Sequence, residues 1–151
     1  CPSEAITREQ MAIFVIRALM GGDVFTYPTT PYFTDVPPTH AAFRHVQKMR
    51  ELGITIGCTG TTYCPSDPVT RGQMAVFLVR ARLGLSSTQL FPYSTAPYFT
   101  DVPPTHAQFP YIQKLRDLGI TSGCTATTYC DGDPNLRGQM GVFVTRGLVA
   151  P

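Results

Sequence analysis

The stretch Gly57–Ala81, GCTGTTYCPSDPVTRGQMAVFLVRA, holds two cysteines, a proline-rich turn and a helix start. It returns as Gly123–Gly147, GCTATTYCDGDPNLRGQMGVFVTRG, and its second half opens the chain as Cys1–Ala18, CPSEAITREQMAIFVIRA. Cys1, Cys64 and Cys130 therefore share one register position, and so do Met11, Met74 and Met140. A second block, YFTDVPPTH, occurs at Tyr32–His40 and again at Tyr98–His106. Self-similarity on this scale marks a repeat protein and outranks any single-residue signal. The step is 63 residues between the first two copies and 66 between the last two, because the stretch before Pro31 is three residues shorter than the one before Pro97. The phase shows one half repeat and two whole ones. That leads us to expect a fragment of a longer protein, or a missing half supplied from elsewhere.

Each copy predicts helices from its own punctuation. Thr7 and Gln10 have the capping-box spacing, as do Thr70 and Gln73. Helices are expected over 8–20 and 71–83, ended by Gly21-Gly22 and Gly84. Met11, Phe14, Val15 and Ala18 form one apolar face; Met74, Phe77, Leu78 and Ala81 repeat it. Pro37-Pro38 and Thr39 introduce a helix over 40–52, with Phe43, Val46, Met49 and Leu52 on one side. The corresponding helix of the next copy is expected over 107–118. A last helix is expected over 137–149. Leu136 replaces its capping threonine, so Asn135 or Asp133 should cap it, and Gly138 and Gly141 should weaken it.

Cys58–Cys64 and Cys124–Cys130 each bracket five turn-rich residues. Two local disulfides are the simplest reading, and they imply an oxidising compartment. Four thiols could instead hold zinc, but ligand pairs in such sites are usually two to four residues apart. Cys1 is left over. A truncated partner, a bond to another chain and a lipidated terminus compete for it, lipidation being least favoured by the register.

Composition excludes several classes. A net charge of +2 gives no reason to expect nucleic acid or an anionic membrane as partner. No apolar run approaches the ~20 residues of a membrane span. Without a leader or an initiator Met, the chain reads as mature or processed material. Asn135, the only asparagine, lies outside a glycosylation sequon, whereas O-linked sugar on the threonines stays open. No nucleophile motif, paired-carboxylate arrangement or phosphate loop stands out, so we expect neither an enzyme nor a cofactor or metal site. Asp131-Gly132-Asp133 lacks the later glutamate of a calcium loop.

The run from Phe33 (FTDVPPTHAAFRHVQKMRELGIT) to Ala81 (YCPSDPVTRGQMAVFLVRA) resembles the S-layer homology domain, and the resemblance covers nearly the whole chain. It implies a mainly α-helical fold of helix–loop–helix motifs in a pseudo-threefold bundle. Residues 1–31 would be the second half of a motif plus linker, 32–97 a motif plus linker, and 98–151 a motif, together one domain. The implied function is a module on the bacterial cell surface. It would bind envelope polysaccharide non-covalently, often through acidic, pyruvylated sugars, and anchor an attached protein. The family's Thr-Arg carries over onto Thr7-Arg8 and Thr70-Arg71, and its arginine alone onto Arg137. Gln10 and Gln73 replace the family's glutamate, and Ala41 and Ala107 stand where it often has tryptophan.

The candidate anion or polysaccharide site is thus Arg8, Arg71, Arg137, Thr7, Thr70 and Gln73. A guanidinium beside the free N–H groups of a helix start suits an anion. The competing use of each arginine is helix-start bonding or surface charge. His40 and His106 are expected to serve nearby backbone, Asp35 and Asp101 to accept from backbone N–H groups, the three methionines to form core, and the loop tyrosines to pack. Two further functions remain: a structural subunit of an extracellular filament or layer, joined head to tail through the incomplete repeat, and a lectin for other glycans.

Overall fold

The computed structural model describes residues 1–149 and is mainly helical, with no strand among the described residues. The last two residues of the unit expected over 98–151 lie outside the described residues. The helices are α1 (Arg8–Met20), α2 (Phe43–Glu51), α3 (Arg71–Leu83), α4 (Phe109–Asp117) and α5 (Arg137–Val144), the last running into a π-helical turn, Thr145–Val149. Helices α1 and α3 keep their expected ends. In both, the threonine hydroxyl accepts the N3 amide and the glutamine amide oxygen takes the cap N–H. Gly21 and Gly84 close them at positive φ, where a Cβ would be strained.

The three repeat units meet in a backbone ring. Ile6 N–H donates to the Asn135 carbonyl, Asn135 N–H to that of Val69, and Val69 N–H to that of Ile6. Around this ring each helix start is capped by the loop before the next one. Arg8 and Glu9 donate to Asp67 and Pro65, Arg71 and Gly72 to Asp133 and Asp131, and Arg137 and Gly138 to Glu4 and Pro2. The orphan N–H groups of three helix starts are satisfied cyclically, which makes the pseudo-threefold bundle. Inside it Met11, Met74 and Met140 are fully buried, as core. Helix α2 packs on α1 and α4 on α3.

Four local expectations are corrected. Helices α2 and α4 begin late, because His40 and His106 accept the Ala42 and Gln108 amides through Nδ1 and hold a turn there. The last helix is not one α-helix to residue 149: after Val144 it passes into a π-helical turn, Thr145–Val149. Neither Asn135 nor Asp133 caps α5 with its side chain: the Leu136 N–H bonds the Gln139 amide oxygen, which is half a capping box, and Asn135 turns inward. Phe14, expected in the core, is 39% exposed, against 6% for its counterparts Phe77 and Phe143.

Two buried glutamines were not foreseen. Gln47 donates to the Pro28 and Thr30 carbonyls and accepts from Tyr32 N–H. Gln113 repeats this with Ser94, Ala96 and Tyr98. Each pins its linker to the helix that follows.

Candidate functional site

The cysteine loops supply the walls of the site. Cys58–Cys64 and Cys124–Cys130 are disulfide-bonded, and Cys1 is free and exposed. Cys64 and Cys130 sit at positive φ, an uncommon state for a residue with a Cβ. The disulfide and a carboxylate hold each of them there. Asp35 accepts from the Tyr63 and Cys64 amides and Asp101 from those of Tyr129 and Cys130. Burial would raise the Asp101 pKa, but the Tyr129 and Cys130 amides outweigh it and the group is lowered. Gly57 and Gly123 start these loops, also at positive φ; a Cβ on either would strike the loop carbonyls and Phe33 or Phe99.

Each loop delivers a buried tyrosine to an arginine one helix away. Arg8 Nε donates to the Tyr63 carbonyl at 2.7 Å, and the Tyr63 hydroxyl donates back to the Arg8 carbonyl at 2.8 Å. Arg71 and Tyr129 repeat the exchange at 2.9 Å both ways. Burial pushes both phenols well above their usual range, the neighbouring guanidinium opposing it, so they remain donors. Each guanidinium also lies between two rings. Arg8 sits over Tyr63 at 4.8 Å and Phe77 at 5.6 Å; Arg71 over Tyr129 at 4.9 Å and Phe143 at 5.6 Å.

Arg8 and Arg71 are only 5% and 4% exposed, yet the Nη2 of each has no hydrogen-bond partner among the described residues. Each arginine lines a groove. The Arg8 groove, about 280 Å³, lies between the Thr55–Cys58 segment and α3, with Gln73 and Arg80 on its wall. The Arg71 groove, about 190 Å³, lies between Thr121–Gly123 and α5, with Gln139 and Arg146 in the same places. No carboxylate lines either. Both are smaller than the ~300–1,000 Å³ of a drug-sized pocket.

The candidate residues are thus divided. Arg8, Arg71 and Gln73 line grooves; Thr7 and Thr70 spend their hydroxyls on the capping boxes beside them. Arg137 is exposed and in neither groove. Arg80 and Arg146 were missed, although they share one register position with Arg17. Arg80 bonds the Ile54 carbonyl and the Tyr111 hydroxyl. His40 and His106 support helix starts and face Glu9 and Asp131. Tyr32 and Tyr98 are exposed, over Arg50 and Arg116.

This ring of capped helices, with arginine-lined grooves between its units, defines a helical repeat module. The S-layer homology domain profile matches residues 32–75 and 98–129, just over half of the chain. The chain belongs to the S-layer homology domain family, whose members are non-catalytic, cell-surface modules that bind envelope polymer. It is also 29% identical over 115 residues to an endoglucanase of Bacillus sp. (strain KSM-635). That match takes in 76% of this chain and spans 11% of the endoglucanase. No described helix is long and apolar enough to cross a membrane.

Proposed function

We propose that this chain binds an acidic polysaccharide of the bacterial envelope through its Arg8 and Arg71 grooves, outside the cell, and anchors whatever protein it is joined to. The observation that carries this is the pair of buried, unpartnered Arg8 and Arg71 Nη2 atoms. A buried cation without a counter-ion is costly. A carboxylate that enters either groove and displaces the wall enough to reach that enclosed nitrogen would satisfy it with a charge-assisted bond. The groove sizes suit one sugar unit each, so affinity for a polymer would come from engaging both at once. The organisation behind this is one domain of 1–31, 32–97 and 98–151, with Arg8 reaching into a groove of the second unit and Arg71 into a groove of the third.

The test is a binding assay on immobilised acidic polysaccharides, with neutral glucans as control. Binding of acidic polymers alone, weakened by salt and by Arg146→Ala, supports the reading. Equal retention on neutral glucans, or none on any acidic polymer, refutes it. Arg146 is exposed, so its removal leaves the core intact.

One observation favours a second reading. At the third unit boundary Arg137 and Phe14 are exposed, where Arg8 covers Phe77 and Arg71 covers Phe143. In this reading the open corner receives a helix–loop unit from a second copy, giving head-to-tail assembly. Sedimentation across a concentration series decides it: reversible growth supports assembly, and a constant monomer mass rejects it.

A further inference from the structure

We propose that Gln108 is a ligand-contacting residue of the Arg8 groove, selecting a sugar that carries an acetamido or hydroxyl group beside its carboxylate. This rests on the reading of the grooves as acidic-glycan sites and gives the two grooves different preferences.

Successive unit boundaries differ at a matched pair of positions. The first boundary has Glu9 and Ala42; the second has Gly72 and Gln108. Glu9 turns to His40 at 3.5 Å, and Ala42 is fully buried. At the second boundary, a Cβ on Gly72 would collide with the Gln108 amide, so the glycine is what lets that side chain cross α3 into the groove. The arm is held from behind. Gln108 N–H donates to His106 Nδ1 at 3.1 Å, and His106 Nε2 faces Asp131 Oδ2 at 3.0 Å. The Asp131 carbonyl in turn caps Gly72 N–H.

Gln108 lines the Arg8 groove, with its side-chain amide lying against Gly72. A primary amide offers two donors and an acceptor. Lining the same groove as Arg8, it suits the neutral substituent of an acidic sugar. The Arg71 groove has no such arm, and Ser122 stands there in place of Ile56.

The experiment is a ¹⁵N NMR titration with glucuronate, N-acetylmuramate, N-acetylneuraminate and a pyruvate-ketal N-acetylhexosamine, with N-acetylglucosamine as the neutral control. Gly57 and Gln73 amides report on the Arg8 groove; Gly123 and Gln139 report on the Arg71 groove. Gln108→Ala is expected to weaken the Arg8 groove about three- to tenfold, one hydrogen bond's worth, and leave the Arg71 groove unchanged. Gly72→Ala, which displaces the amide without removing it, should do the same, and the double variant should lose no more than either single one. Acidic sugars that bind the two variants as they bind the wild type, or variants that weaken both grooves alike, overturn the assignment of Gln108 while leaving the glycan reading standing. If no acidic sugar shifts any of the four amides, the glycan reading itself fails.

Discussion

Asn135→Val should stabilise the protein. Asn135 takes the place that Ile6 and Val69 hold in the backbone ring, and all three are fully buried. Its Oδ1 has no partner, and its Nδ2 reaches only the Met140 sulfur at 3.9 Å. A buried, unsatisfied acceptor costs about 1–3 kcal/mol, and the sulfur contact returns a small part of that. Valine matches Val69, keeps the ring's backbone bonds and removes the acceptor. The net gain should be about 1–2 kcal/mol, with Tm rising by about 2–8 °C in a chain of this size. Differential scanning calorimetry at neutral pH measures it. The mirror variant, Val69→Asn, should lose about 2 kcal/mol or more by burying a second such group. If Asn135→Val lowers Tm, the asparagine is satisfied inside the ring and the reasoning is wrong.

Replacing Cys58 and Cys64 together by serine should cost roughly 2 kcal/mol, through the entropy the short closed loop withholds from the unfolded chain; calorimetry of the reduced and variant proteins checks it, and an unchanged Tm would show that Asp35 alone holds the loop. Burial lowers the His45 pKa, with Asp23 opposing and the Arg44 and Arg17 charges adding to the fall. The unfolded chain then binds the extra proton below about pH 6.5, so stability should fall as pH drops from about 7.5 through 6.5. His45→Tyr, the residue of the other copy at Tyr111, should flatten that slope in urea titrations. Helix α5, with Gly138 and Gly141 and no hydroxyl cap, should exchange its amides faster than α3; hydrogen–deuterium exchange showing the reverse order would refute this.

The repeat register made most of the fold legible. The ends of α1 and α3 follow from Thr7 with Gln10, Thr70 with Gln73, and the closing glycines, all short-range signals. The disulfide pairing was equally local. Less legible was everything set by what lies across a boundary. Phe14 occupies the same register as Phe77 and Phe143, but those rings lie under Arg8 and Arg71 of the neighbouring unit while Phe14 is exposed, a difference no periodicity reports. Gln47 and Gln113 give no local signal of burial, yet they are buried because the linker folds back onto them. At the site, a charged residue in the Thr-Arg pair reads as exposed; only the tyrosine exchange explains why Arg8 and Arg71 are buried with one nitrogen left over. Arg146 and Gln108 become visible once α5 and α4 are placed beside the grooves.

In the proposed function the spare guanidinium nitrogens of Arg8 and Arg71 receive an acid. A crystal structure with a bound acidic oligosaccharide tests it most directly. A carboxylate within about 3 Å of Arg8 or Arg71 Nη2, flanked by the Gly57 or Gly123 loop, is the predicted result. A sugar stacked instead on the exposed Tyr32 or Tyr98 ring, with both Nη2 atoms still unpartnered, would contradict the account.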